Sequence, residues 1–565
     1  MNLSSFITPV FATVSTLVLA ACVGHIGDEG SADSTPSSSP SSSSPSLTWV
    51  PEPVDCDPTG AATRAPLRRL TPAPYRRALE AIVGEPLALG APSLEPAPVT
   101  GFADDVERNS VSPELLEAYL EDAEVAAKRL VRDGLAAVWA PCVTDVVDRV
   151  CAEDLLGALA ERAFRRQVSE ADVEPLLATY DEALVAETDG DPGLATTVAL
   201  ELAVTRTLLA PDFLYRIELG EPVAASDGVV RLTQAEIASR MAFAYIGGPP
   251  PDWLRAAADA SALSTPEQRR QAVRQLVFGE GEEPTDRARA QLRLFLEGVL
   301  GMRALDEVNA ESLDGELSTS LRQESERFLD EVLWTDRGGL AELLSAGFTF
   351  VDERLADHYG LPSPTSEWQK VTVPGRVGLL TQGAMSLAAA HGVSDSVVRR
   401  GVFITEQLGC VTFPEPPPEA MVVEASMPQG LNPREQADYH NQPACAGCHD
   451  LIDPVGLGML ELDGLGRYRD AYPTGDPVDA TTDLVVDGEA VTIDGVVELS
   501  ERLSQSAHAK RCLSAWLFRF AYAYAPRQDD ACHLTELSDV DESLVQQWLA
   551  LAETSAFVTI VQPQP

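Results

Sequence analysis

The chain has 565 residues, 87 acidic against 41 basic side chains, nine cysteines and a formal charge of −46. That balance argues against a nucleic-acid binder and against adsorption to an anionic membrane surface, since both need a basic face. At 45% hydrophobic residues the chain can bury real cores, and its length implies several domains rather than one. Only Lys128, Lys370 and Lys510 are lysines; the excess of arginine reads as codon bias without functional weight.

Residues 4–21 form a short apolar stretch ending in Leu19-Ala20-Ala21-Cys22. Its length suits a secretory signal and is marginal for a bilayer span. The ending resembles a bacterial lipobox, which makes residues 1–21 a lipoprotein signal peptide and Cys22 the lipidated first residue of the mature protein. No Lys or Arg precedes the apolar run, so only the terminal amine supplies the leading charge. Residues 22–55 contain Ser37-Ser38-Ser39-Pro40-Ser41-Ser42-Ser43-Ser44-Pro45 and read as a disordered tether.

From about residue 60 the pattern is helical. Leu115-Leu116-Ala118-Tyr119-Leu120, Leu155-Leu156-Leu159-Ala160 and Ile237-Met241-Ala244-Tyr245 recur at three- and four-residue spacing, with breakers at Gly247-Gly248-Pro249-Pro250-Pro251 and Gly360-Leu361-Pro362. The expected modules are 56–135, 136–222, 223–365, a cytochrome-c-like module over 366–475 and a C-terminal module over 476–565. Segment 411–433, with Phe413-Pro414-Glu415-Pro416-Pro417-Pro418, predicts extended polyproline-like chain. Asp483 to Ile493 predicts a hairpin turning at Asp487-Gly488, and helix resumes at Leu499 and runs through Phe518. The fold class expected is mainly α and multi-domain, with a minor β-hairpin near the C-terminus.

Cys445-Ala446-Gly447-Cys448-His449 is a CxxCH. This spacing puts two thiols one helical turn apart, matched to the two vinyl groups of a haem, with the adjacent histidine placed under the iron. The expected cofactor is one covalent haem c, held through Cys445 and Cys448 with His449 as proximal ligand. A zinc site using Cys445, Cys448 and His440 or His449 competes, as do a redox dithiol and a local disulfide.

The residues around this motif resemble multi-domain secreted cytochrome-like proteins found in planctomycetes and myxobacteria. Arg68-Arg69-Leu70-Thr71 with Tyr75 is similar to their first module. Arg162-Ala163-Phe164-Arg165-Arg166 and Ala210-Pro211-Asp212-Phe213-Leu214-Tyr215-Arg216 resemble the next. Ala238-Ser239-Arg240-Met241 and Leu355-Ala356-Asp357-His358-Tyr359-Gly360-Leu361 resemble the large helical one. Arg376 to Arg469, with Arg400-Gly401, Ile452-Asp453-Pro454-Val455-Gly456 and Gly466-Arg467-Tyr468-Arg469, resembles the haem-bearing one, and Cys512 to Tyr522 the last. The chain departs at Ala525-Pro526-Arg527, where the family has Gly-Arg. The resemblance implies an exported cytochrome-like protein and no known substrate.

A strong sixth ligand makes an electron carrier, while an open site permits chemistry on a small molecule. Candidates for the distal position are His391, Met427, Met421 and Met459, and His440 belongs on the proximal side by its spacing. Arg400, Arg434, Arg467 and Arg469 are candidates to pair with haem propionates. With one cysteine for lipid and two for haem, six remain for disulfides. Cys142 pairs with Cys151, Cys512 with Cys532, and Cys56 with Cys410 by elimination.

The expected protein is therefore a lipid-anchored, envelope-facing monohaem cytochrome that exchanges electrons with a partner presenting a basic face. It touches membrane only through its anchor and binds no nucleic acid. A haem-dependent oxidoreductase and a non-redox scaffold are the alternatives, and no catalytic residue is assigned.

Overall fold

In a computed structural model, residues 48–561 are described apart from 56–60, 91–97, 99, 109, 134–138, 141, 143–146, 187–191, 224–227, 304, 306–313, 391–395, 429 and 541–542. The expected signal peptide, Cys22, Cys56, His391 and the Ser-Pro run lie outside the described residues. The structure is 58% helical. No helix among the described residues is long and apolar enough to cross a membrane.

Helix Pro113–Arg132 shows how the pattern becomes structure. Ser112 caps its first turn by accepting from Leu115 N, Pro113 and Glu114 suit that turn, and Arg129 and Arg132 close the last one. Leu115, Ala118, Tyr119, Ala123, Ala126 and Leu130 are buried, while Leu116, Leu120 and Val125 face outward. This helix packs with Pro72–Val83, Arg149–Phe164, Glu170–Ala186 and Pro192–Leu208 around one apolar core. A second, larger core takes in Val50, Phe102 and residues from Val230 to Ile560, joining the later modules together. The C-terminal strand Thr559–Val561 ties the chain ends together, pairing parallel with Thr63–Arg64 and antiparallel with Val229–Arg231.

The expected hairpin forms as Thr481–Val486 and Glu489–Asp494, with Asp487 and Gly488 both at positive φ. The following helix is two helices, Gly495–Gln505 and Ala507–Tyr522. They part at Ser506, whose hydroxyl caps Ala509 N and donates to Asp487. Segment 411–417 is extended as expected, but Pro418 then opens a helix, Pro418–Ser426, because proline suits a first helical turn.

The tether ends earlier than residue 55. Thr48 bridges Val411, Trp49 N donates to the Cys410 carbonyl, and the Trp49 ring lies edge-on to Trp516 at 5.0 Å. Trp49 and Val50 supply apolar surface that the upstream Ser-Pro run lacks, so the chain joins the body here.

Cys142 and Cys151 are bonded. Cys512 bonds Cys410, which corrects both the Cys512–Cys532 and the Cys56–Cys410 pairings. Cys410 ends helix Val397–Gly409, which packs on helix Ala507–Tyr522, and this long-range contact was invisible to spacing along the chain. Cys532 is itself disulfide-bonded.

The arginine excess also has a structural use. Arg165 donates to the carbonyls of Ala163, Asp212, Phe213 and Tyr215. Arg269 donates to those of Leu263, Ser264, Ala552 and Glu553. A planar fork with five N–H donors can satisfy several buried carbonyls at once, which an ammonium does less well.

Candidate haem centre

The CxxCH opens helix Ala446–Leu457. This helix lies directly on Val397–Gly409, and two glycines make the approach possible. A Cβ on Gly401 would overlap the Ile452 carbonyl, and one on Gly456 would overlap the Val397 carbonyl. Val397, Ala437, Leu457, Leu460 and Ala480 form a small separate core beneath the motif. Arg400, fully buried, locks the far end by donating to the Met459 and Leu462 carbonyls at 3.0 and 2.7 Å and to that of Asp463 at 2.7 Å.

Cys448 N and His449 N both lie 3.2 Å from the Cys445 carbonyl, so the two thiols sit one turn apart. Both are free, Cys445 buried and Cys448 half-buried. His449 Nδ1 is 2.9 Å from Asp453 Oδ1, one turn further on. His440 Nδ1 is 3.2 Å from Asp453 Oδ2, and the two imidazoles lie 3.9 Å apart at 33°. Burial pushes the Asp453 carboxyl up, but its hydrogen bonds to His440 and His449 outweigh this and hold it below the ordinary range. An Nδ1–H given to this carboxylate leaves the His449 lone pair on Nε2, the arrangement that metal-ligating histidines use.

These features fit a covalently held haem. The thiols are unpaired in a chain whose Cys142, Cys151, Cys410, Cys512 and Cys532 are all disulfide-bonded. A Cβ on Gly447, between the thiols, would meet nothing within 4 Å. Among the described residues, His440, His449 and Asp453 gather closely enough to hold a metal ion directly, and neither thiol belongs to that group. The shared role of Asp453 escaped the sequence reading, although a histidine and an aspartate four apart on a helix carry the signal.

The distal candidates separate. Met421 is two-thirds exposed on helix Pro418–Ser426, and Met427 is half-buried just after it. Met459 is packed into the large core beyond the far end of the CxxCH helix. Of the propionate candidates, Arg400 is spent on its three carbonyls and has no exposed surface. Arg434 donates to the Asp479 and Thr481 carbonyls, and Arg469 to that of Leu460. Arg467 pairs with Asp463 at 2.7 Å and stays half exposed.

Three family models match the chain. PSCyt3, a protein of unknown function (DUF1588), covers residues 376–472 and includes the CxxCH. PSD4 (DUF1592) covers 232–361, and PSD5 (DUF1595) covers 151–218. All three are planctomycete-type cytochrome-associated domains of unknown function. No curated protein and no solved structure matches. The PSD5 segment contains the Arg165 clamp, and the PSCyt3 segment contains the Arg400 clamp, Gly401, Gly456 and the imidazole pair.

Proposed function

We propose that this is an exported, lipid-anchored monohaem c-type cytochrome protein that exchanges single electrons with an envelope or extracellular redox protein. The observation that carries the reading is the pair of free thiols one turn apart, followed by an imidazole oriented through its Nδ1 by Asp453. Haem c supplies one-electron exchange at its iron. Cys445 and Cys448 would hold the porphyrin through thioethers, and His449 Nε2 would be the nitrogen offered to the iron. Asp453 accepts the Nδ1–H, fixes the ring plane and raises the basicity of the ligating nitrogen. His440 shares that carboxylate and stacks beside His449, so the His449 ring is braced by a second ring on one anchor. With a formal charge of −46, the partner docks through a basic face.

The test is a visible spectrum of protein matured with haem-attachment machinery. Haem that stays with the chain after denaturation, with low-spin bands indifferent to cyanide or CO, is the expected result for a carrier. High-spin bands that move with added ligand would make it a haem oxidoreductase. Absence of covalent haem would overturn both. The His440, His449 and Asp453 cluster favours one second reading, a divalent metal bound without haem. Metal content of haem-free protein, before and after His440→Ala, decides that case.

A further inference from the structure

A cavity of about 300 Å³ opens where the first modules meet the large helical one and the last helices. Arg68, Arg69, Arg77, Arg216 and Arg293 line it, in a protein whose net charge is strongly negative. The acids around it are Asp104, Glu297 and Glu326. Phe243, Leu294 and Phe520 add apolar wall, and the Arg216 guanidinium lies 5.0 Å from the Phe243 ring centre.

The charges behind this wall do not balance. Arg68 and Arg216 stand directly opposite each other on the paired strands Arg68–Arg69 and Tyr215–Arg216. Like charges in that position repel, so something must offset them. Asp104 is taken by Arg68, which also donates to the Ala521 carbonyl at 2.6 Å. Glu218 is taken by Arg240, which grips both its oxygens and donates to the Phe557 carbonyl. Burial pushes the Glu218 carboxyl up, but Arg240 and its neighbours outweigh this and hold it at about 2, so it is ionised. Arg216 is left over. Its Nη2 comes no closer than 3.7 Å to Glu218 Oε1, and neither Nε nor Nη2 has a hydrogen-bond partner. Burial, then the neighbouring Arg68, pushes it down to about 9, so it too is charged at neutral pH. Arg68, Arg216 and Arg240 therefore share two carboxylates, Asp104 and Glu218, while Arg69, buried beside them, bonds the Tyr119 hydroxyl.

We infer that this cavity binds a small organic monocarboxylate, with its carboxylate on Arg216 and its apolar part against Phe243 and Phe520. The positive excess of this wall suits an anion, and the part of the Arg216 guanidinium that lines the cavity can donate to a carboxylate oxygen. Asp104, Glu297 and Glu326, which also line the cavity, disfavour a more highly charged anion such as phosphate.

The experiment uses the full chain, with benzoate as probe, benzamide as its uncharged analogue, and acetate and inorganic phosphate for comparison. Binding is read by calorimetry and by melting temperature at about 10 mM additive. Benzoate should bind and raise the melting temperature, benzamide should not, and phosphate should bind more weakly than benzoate. Arg216→Met should weaken benzoate at least about tenfold, and Arg216→Lys, which keeps the charge and loses the fork, should fall between. Equal responses to benzoate and benzamide would overturn the inference, as would tighter binding of phosphate. No response to benzoate or acetate, or unchanged benzoate affinity in folded Arg216→Met, would do the same. If Arg216→Met does not fold, the benzoate and benzamide pair on the unaltered chain still decides.

Discussion

Around the CxxCH helix, the buried guanidinium of Arg400 donates through Nη1 and Nη2 to three carbonyls, and two glycines let the backbones touch. Around the cavity, the buried guanidinium of Arg216 has two nitrogens without hydrogen bonds and shares Glu218, 3.7 Å away, with Arg240. The same residue type thus grips three carbonyls in one region and makes no hydrogen bond through Nε or Nη2 in the other. Burial alone does not tell a functional arginine from a structural one; the account of its donors does.

The largest effect expected on the clamped side comes from its covalent tie. Cys410 and Cys512 close a separation of 102 residues, against nine for Cys142 and Cys151. In the chain-entropy account, replacing the first pair by alanine costs about 4–5 kcal/mol, and replacing the second costs less. Urea unfolding of both double variants measures this. Equal losses would mean that the CxxCH region does not depend on being tied to the C-terminal helices.

Arg400→Met tests the clamp itself. The substitution strands the Met459, Leu462 and Asp463 carbonyls, and at the ordinary cost of unpaired buried groups it should remove about 4 kcal/mol of stability. Arg467→Met, which removes an exposed pair with Asp463, should change stability by less than about 1 kcal/mol. A small loss at Arg400 would dissolve the contrast drawn between the two regions.

The join between the PSD4 and PSCyt3 segments gives a pH signature. Glu324, fully buried, accepts from Thr349 and Tyr359, while Arg376 lies 3.6 Å from the Tyr359 ring centre and donates to the Gly466 carbonyl. Burial pushes the Glu324 carboxyl up to about 7 from 4.5, against the opposing pull of those hydrogen bonds and of Arg376. The folded state thus holds a proton that the unfolded state releases. The contribution is present below about pH 4.5 and is lost as pH rises through about 7, a swing of about 3 kcal/mol. Glu324→Gln should flatten that slope in urea midpoints taken across the window, and an unchanged slope would assign it elsewhere.

How much of this was legible depends on how local each feature is. The CxxCH, the Asp487-Gly488 turn and the amphipathic helix 113–132 are written in contiguous residues, and the fold class followed from such patterns. The helix at Pro418–Ser426 was hidden because proline reads as extended chain unless its place in a first turn is known. The Cys410–Cys512 bond and the docking of Trp49 on Trp516 depend on contacts between residues 102 or more positions apart. Asp453 was half legible, since its spacing from His449 is helical, but its second partner His440 lies on the other side of the motif. The cavity draws on residues from Arg68 to Ala521, and no window along the sequence contains it.

The smallest expected effect is the one that separates the two arginines most sharply. Arg216→Met removes a buried charge whose Nε and Nη2 make no hydrogen bond, relieves its opposition to Arg68, and leaves Glu218 paired with Arg240. Replacing a poorly compensated buried ion with an apolar chain of similar length is often neutral or stabilising. In the absence of any carboxylate, the variant should therefore melt within about 1 kcal/mol of the parent or slightly above it. The reverse, a loss comparable to that of Arg400→Met, would mean that Arg216 is another structural clamp and that the cavity wall needs no ligand to balance it.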